Sequence, residues 1–173
     1  MEFVAYHGTS KQIATNIIDS DFHHNNKVGW LGTGIYFFNE NQAMAYNWAD
    51  TKKRFERPTV LCCELSLPDD KVFDPTVPDS EHNQMFHMYR NLLKMQLKSR
   101  NKFVKARNQE DFDGKTYNII CKQEGYELVK AYTYTYDQAD SDFGINSRVP
   151  NGTELCLRNT EFIVSKKEID YHQ

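Results

Sequence analysis

Apolar positions along this chain fall into short extended runs separated by stretches with three- and four-residue spacing. Phe3 to Tyr6 is a short run that predicts a strand. It leads into His7-Gly8-Thr9-Ser10, after which Ile13, Ala14, Ile17 and Ile18 follow helical spacing with Ser10 as the helix cap. Asp19 to Asn26 reads as a loop. The glycine-bearing segment from Trp30 ends in Ile35-Tyr36-Phe37-Phe38, an extended run. Asn39 followed three residues later by Gln42 has the form of a capping box. The helix it opens is expected to reach about Lys53, with Ala43, Tyr46 and Trp48 among its packing residues.

Further along, Thr59 to Leu67 carries the strongest strand pattern, and Pro68 stops it. A longer helix is predicted from Asp79 to about Arg100, with Met85, Met88, Leu92 and Met95 as its apolar face. Asp113 to Lys122 fits either helix or strand. Glu127 to Tyr136 and Glu154 to Val164 are rich in β-branched and aromatic residues and read as strands. Helices and strands do not alternate regularly enough for a doubly wound sheet, so an α+β fold is expected.

Composition narrows the class. With 173 residues the chain fits one domain, 1–173, and is long enough to bury a core without disulfides or a structural metal. Aromatic residues make up 13% and apolar residues 39%, which argues against disorder. Mean hydropathy is −0.72 and no run of 18 apolar residues occurs, so no transmembrane helix is expected. The first residues lack a basic segment followed by an apolar one, so no secretory signal is expected either. Cys62, Cys63, Cys121 and Cys156 contain no C-x-x-C pair. They read as reduced thiols of a cytoplasmic protein, with Cys62 and Cys63 on opposite faces of one strand. His23, His24, His82 and His87 are not at metal-ligand spacing, and no metal is expected. Asn151-Gly152-Thr153 is a sequon by pattern but reads as a turn.

Three segments carry the candidate chemistry: Tyr6-His7-Gly8-Thr9-Ser10, Gly32-Thr33-Gly34-Ile35-Tyr36-Phe37, and Asn151-Gly152-Thr153-Glu154-Leu155-Cys156-Leu157-Arg158-Asn159. In this order they resemble the ADP-ribosyltransferase superfamily, in its diphtheria-toxin-like and poly(ADP-ribose) polymerase-like branch, whose mark is a His, a Tyr and a Glu on separate strands. The likeness covers about residues 3–67 and 150–164, while 68–149 reads as an unmatched insertion with a basic helix at about 80–107. It implies two small packed sheets around an NAD cleft with flanking helices, and NAD as a substrate.

The resemblance also implies roles. Glu154 would bind the ribose 2′-hydroxyl and stabilise the positive, oxocarbenium-like sugar formed when nicotinamide leaves. His7 would donate a hydrogen bond to the adenosine ribose, and Thr9 would add a second ribose contact. The main-chain N–H and C=O of Gly8 would clamp the nicotinamide carboxamide, since a glycine admits close approach. Tyr36 and Tyr46 would sandwich the nicotinamide ring. Two departures stand out: Tyr46 follows Tyr36 by one residue fewer than the polymerases lead one to expect, and Ala43 falls where that group carries a serine facing the carboxamide. Gly152 stands where arginine-modifying relatives carry Glu or Gln, which argues against arginine as the acceptor.

Residues 90–107 hold Arg90, Lys94, Lys98, Arg100, Lys102, Lys105 and Arg107 and no acidic residue, within a chain of net charge −3. Arg90, Lys94 and Lys98 share one helical stripe, and Tyr89 and Phe103 are aromatic neighbours, a pattern suited to nucleic acid. The same residues also fit a solvated helix face. The resulting expectation is a cytoplasmic mono-ADP-ribosyltransferase of bacterial toxin type, as in toxin–antitoxin or anti-phage systems. Its acceptor would be a macromolecule, RNA or another nucleic acid or a protein, and its further partner an antitoxin protein, with no membrane involved. Two alternatives share some of these marks. One is an RNA 2′-phosphotransferase, which has the same HGT start but needs arginines not seen around His7 or Tyr36. The other is a non-catalytic NAD- or ADP-ribose-binding module, whose mark would be loss of Glu154 or Tyr36.

Overall fold

A computed structural model describes residues 1–23, 27–51, 55–100, 109–135, 138–145 and 147–169. In chain order its main elements are β1 (Glu2–Ser10), α1 (Lys11–Asp19), β2 (Ile35–Asn39), α2 (Gln42–Asp50), β3 (Pro58–Ser66), β4 (Val72–Phe73), α3 (Glu81–Ser99), α4 (Gln109–Glu124), β5 (Leu128–Thr133), α5 (Gln138–Phe143), β6 (Gly152–Leu157) and β7 (Ile163–Ile169). The fold is α+β. The strands form one seven-stranded sheet in the order β4-β5-β6-β2-β1-β3-β7, in which β4 and β5 are parallel and the other neighbours antiparallel.

A single sheet replaces the two small sheets expected. The reason is β1, which bonds β3 along its whole length, from Glu2 opposite Ser66 to Ser10 opposite Pro58. On its other edge β1 meets β2 at Ala5–Asn39 and Tyr6–Phe38, and the Glu40 N–H donates to the Val4 carbonyl at 2.8 Å. From His7 onward the two ladders part. The sheet is therefore continuous at one end of this seam and split at the other.

Period-two alternation decides which residues enter which layer. On one face Ala5, Phe37, Leu61, Leu65, Leu155 and Leu157 pack with Ala14 and Ile17 of α1 and with Phe22. On the other face α2 covers Phe38 and Val60 through Ala45, while Tyr117, Ile120 and Cys121 of α4 cover Val129 and Cys156. Cys62 and Cys63 do point to opposite faces; Cys63, Cys121 and Cys156 are buried, and all four thiols are free. Burial pushes Cys63 and Cys121 up to about 12. Among the described residues no helix is long and apolar enough to cross a membrane.

Several local expectations meet the structure differently. Ser10 caps α1, accepting the Ile13 N–H at 3.3 Å, but only Ala14 and Ile17 of its apolar residues are buried; Ile13 and Ile18 face solvent. The α2 cap is Asn41, whose side-chain oxygen accepts the Met44 N–H at 2.9 Å, and Asn39 is the last residue of β2 instead of half a capping box. The ambiguous Asp113–Lys122 stretch lies within α4. The single strand expected at Glu154–Val164 is two. Asn159 caps a 3-10 turn at Thr160–Phe162, accepting the Glu161 N–H at 3.0 Å, and the chain crosses to the far edge of the sheet to pair as β7 with β3.

The apolar face assigned to the long helix is also corrected. Met85 packs on the α4 cluster together with Phe86 and Tyr89, but Met88, Leu92 and Met95 are exposed at 51%, 47% and 68%. Aromatic rings outcompete the methionine stripe for α4: the Phe86 ring lies 4.7 Å from that of Tyr117.

Candidate active site

The seam between β1 and β2 brings most of the candidate residues to one place. β6 lies against β2 in the register Tyr36–Cys156 and Phe38–Glu154. Residues opposite one another in an antiparallel pair share a face. Glu154 and Tyr36 thus share one face of adjacent strands as diagonal neighbours, two residues apart in register. Glu154 is also paired with Ala131 of β5, so it stands where the α2 cluster, which holds Phe38, meets the α4 cluster, which holds Ala131 and Cys156.

The Glu154 carboxylate is not a solvated edge group. Its Oε2 accepts the indole N–H of Trp30 at 3.0 Å, and the Thr133 side chain donates to it as well. Burial raises its pKa above the ordinary carboxylate value, and the two donors offset part of that rise. A desolvated carboxylate held by neutral donors is suited to meeting positive charge or a sugar hydroxyl.

Main-chain direction at Gly8 is set by the register. The Val4 carbonyl faces β2, since it accepts from Glu40, and the two-residue period turns Tyr6 and Gly8 the same way. β2 has left by position 8, so the Gly8 N–H and C=O face the split. The side-chain position at Gly8 is closed by α2: a β-carbon there would lie 2.0 Å from the Ala45 carbonyl oxygen and 3.2 Å from the Ala49 β-carbon. A donor–acceptor pair on an open sheet edge fits a carboxamide, and Glu154 with Tyr36 beside it fits the adjoining ribose. These residues are compatible with the NAD expectation on geometry.

His7 has a different place from the one expected. Its ring lies on the α1 face of the sheet, edge-on to Phe22 and Phe37 at 5.2 and 5.7 Å between centroids, and so on the opposite face from Glu154. Its Nδ1 lies 2.8 Å from the Tyr36 carbonyl, which can only accept. Burial lowers the pKa of the ring, so it is neutral, with the proton on Nδ1 and the lone pair on Nε2. A neutral Nε2 can only accept, which differs from the donor role that the resemblance implies.

The remaining residues divide. Thr9 is buried, at 2% exposure, opposite Thr59 of β3 and on the His7 face, away from Glu154. Tyr46, on α2, packs half-buried against the Phe38 cluster. Ala43, in the first turn of α2, is exposed. Tyr36 is half-buried against the α4 cluster, and its hydroxyl accepts the Leu31 N–H at 2.9 Å and donates to the Gly32 carbonyl at 2.8 Å. Burial raises its pKa, so it stays a neutral phenol. On α3, Arg90 is engaged: its Nε donates to Asp113 at 2.7 Å and its guanidinium lies over the Phe112 ring at 5.2 Å. That ties it to α4 and removes it from the basic stripe, where Lys94 and Lys98 remain exposed. His24, Lys102, Phe103, Lys105 and Arg107 lie outside the described residues.

Four residues at the site were not anticipated: Trp30, Thr133, Asn118 and Arg158. Arg158 donates to the carbonyls of Leu31 at 3.0 Å and Cys156 at 3.2 Å, and Asn118 accepts the Thr33 N–H at 2.8 Å. Gly32, with φ of +95°, leaves no room for a β-carbon, which would sit 2.3 Å from the Asn118 oxygen. The only sequence signals for any of them were the position of Trp30 within the glycine-bearing segment and of Arg158 just after Glu154. No family model, curated protein or solved structure matches this chain.

Proposed function

We propose that this chain is an NAD-dependent mono-ADP-ribosyltransferase. The observation that carries the reading is Glu154: a desolvated carboxylate, held by two neutral donors, on the strand beside Tyr36 and at the seam where the main chain of Gly8 faces an open edge. NAD supplies a ribosyl group already joined to a good leaving group. Glu154 would bind the ribose 2′-hydroxyl and stabilise the positive charge that grows as the bond from C1″ to the nicotinamide nitrogen breaks. The bonding pair departs with nicotinamide, a nucleophilic atom of the acceptor bonds to C1″, and its proton passes to solvent. Gly8 would hold the carboxamide through its N–H and C=O.

The acceptor is taken to be a macromolecule, with nucleic acid favoured by the exposed Lys94 and Lys98 on α3. A toxin role, an antitoxin partner and a cytoplasmic setting complete the reading; the free thiols fit a reducing compartment.

The test is nicotinamide release from labelled NAD, with RNA, DNA and protein offered separately, for wild type and Glu154→Ala. Label that enters one fraction and is lost in the variant supports the reading. Binding of NAD without release points to a binding module, and an ADP-ribose cyclic phosphate from 2′-phosphorylated RNA points to the phosphotransferase. Lys94→Glu with Lys98→Glu should weaken labelling of nucleic acid at low salt and leave hydrolysis of NAD alone unchanged.

A further inference from the structure

We propose that Trp30 is a positioning residue for Glu154 and that Tyr36 acts through it: the Tyr36 hydroxyl builds the loop that aims the indole, and the indole fixes the carboxylate. This rests on the reading of Glu154 as the residue that meets the substrate.

Trp30 reaches Glu154 from a segment 124 positions away in sequence. That segment is tied down on both sides of the indole. Gly29 and Gly32 exchange N–H···O=C bonds of 3.0 Å in both directions, closing a tight turn around Trp30 and Leu31. The Tyr36 hydroxyl binds the turn from below, accepting from Leu31 and donating to Gly32. Arg158 holds the Leu31 carbonyl, and Asn118 holds Thr33 through both its N–H and its hydroxyl. Gly29 itself lies against α4: a β-carbon on Gly114 would lie 1.9 Å from the Gly29 carbonyl oxygen.

A phenol whose donor and acceptor are both spent on a turn a few residues upstream works as a strut. Its ring edge is committed to the protein, and the rotamer of Trp30 is the feature so fixed. The indole in turn removes one degree of freedom from Glu154. With Trp30 on Oε2 and Thr133 donating as well, rotation of the carboxylate is limited, and the acceptor positions these two leave are held in a fixed direction. The indole also favours the ionised form, which desolvation opposes. The groups facing the carboxylate are Trp30 from the turn, Thr133 from β5, Tyr36 from β2 and Cys156 from its own strand. The Tyr36 phenol is pushed up by burial and the Cys156 thiol up to about 11, so of these groups the carboxyl is the first to lose its proton as pH rises.

Two measurements test this on the full chain. The first needs no catalysis. The chain has two tryptophans, so its indole ¹H–¹⁵N spectrum assigns from the peak lost in Trp30→Phe. The Trp30 peak should titrate with a carboxyl in wild type and stop titrating in Glu154→Gln; a peak indifferent to Glu154→Gln overturns the proposal. The second is the pH profile of nicotinamide release. Trp30→Phe should lower kcat about tenfold while the KM for NAD changes by less than about threefold. The acid limb of kcat/KM should move up by about one pH unit, a tenfold change in proton affinity. Tyr36→Phe should move the limb the same way, and the double variant should be no worse than the more impaired single one. A raised KM with kcat and limb unchanged, or additive losses in the double variant, would overturn it. If wild type releases no nicotinamide, the enzymatic reading fails, and the indole titration still decides whether Trp30 positions Glu154.

Discussion

The ring of His7 donates through Nδ1 to the main-chain carbonyl of Tyr36 at 2.8 Å, and so bridges the two halves of the sheet at the point where β1 and β2 part. The sequence suggests separate ligand-binding roles for these residues. In the fold they are one strut across the seam. The hydrogen bond needs a proton on Nδ1 in either charge state, but the packed ring resists the second proton because Phe22 and Phe37 enclose it. The folded pKa is therefore below the ordinary value near 6.5. A depressed histidine pKa contributes stability that is complete above the unfolded value and is lost as pH falls from there toward the folded value. Unfolding free energy should thus decline below about pH 6.5, and His7→Asn should flatten that slope while lowering stability at pH 7.5. Urea melts of both proteins between pH 5 and 7.5 check it; parallel slopes would show that His7 does not titrate against the fold.

Glu154 has the opposite sign. Its folded pKa is raised above the ordinary 4.5, so the fold favours the protonated acid. That contribution is present below pH 4.5 and is lost as pH rises through the folded value, beyond which the buried charge costs stability. Glu154→Gln keeps an acceptor for Trp30 and removes the charge. It should melt higher than wild type at pH 7.5, with the gap closing toward pH 4, while losing transferase activity. Each kcal/mol recovered would appear as about 2–4 °C in a chain of this size. A variant that melts lower than wild type at pH 7.5 would contradict the burial of that charge.

Gly8 is constrained from the side of α2, and this separates packing from the main-chain role proposed for it. A β-carbon would meet the Ala45 carbonyl, a backbone atom that cannot swing away. Gly8→Ala should therefore displace α2 and cost about 1–3 kcal/mol, the usual range for overpacking. The displaced helix carries Tyr46 and packs on Phe38, which neighbours Glu154, so NAD affinity should fall with stability. Thermal melts with and without NAD distinguish the two effects. Full stability with lost affinity would mean that the helix is not where the β-carbon would strike.

How much of this could be read from the chain depends on the range over which each feature is decided. The β1–α1 junction is local: Ser10 caps the helix and the apolar run before it is a strand, and both are found. The run at Thr59–Leu67 is a strand because alternation and β-branching agree along its whole length. Glu154 and Tyr36 are legible as candidates because each sits in a short motif. Trp30 is not, because its significance is a contact 124 residues away. β7 is hidden for a related reason: Leu155 and Ile163 belong to similar apolar runs, and the turn capped by Asn159, which sends the second to the far edge, is short. β4 has two residues, too few for any period to show.

Arg158 offers a test of the turn that holds Trp30. Its guanidinium serves the Leu31 and Cys156 carbonyls from two separate nitrogens, and Lys at this position has its donors on a single nitrogen and lacks the planar fork that spans both. Arg158→Lys should leave at least one half-buried carbonyl unpartnered, at a cost of about 1–3 kcal/mol. Hydrogen exchange should accelerate at Gly29, Leu31 and Gly32 ahead of the sheet, since the turn is what the bond secures. Uniform acceleration across β6 and β2 would place the effect of Arg158 in the strands instead.

The long helix α3 gives the sharpest contrast between pattern and fold. Met88, Leu92 and Met95 recur at helical spacing and by pattern alone would form the core face, yet about half or more of each is exposed. Phe86, one position to the side of that stripe, is in contact with Tyr117 and faces α4. Leu92→Glu should then change stability by less than about 0.5 kcal/mol, as surface substitutions usually do. Phe86→Ala should cost about 2–3 kcal/mol, the low end for truncating a large packed side chain, because the ring is half-buried. The pair of substitutions is diagnostic only together, since either alone is compatible with a helix that rolls to rescue its packing. If Leu92→Glu costs as much as Phe86→Ala, the helix is rotated toward the methionine face. The nucleic-acid role of Lys94 and Lys98 would then need another geometry, because that rotation would turn them with the same surface.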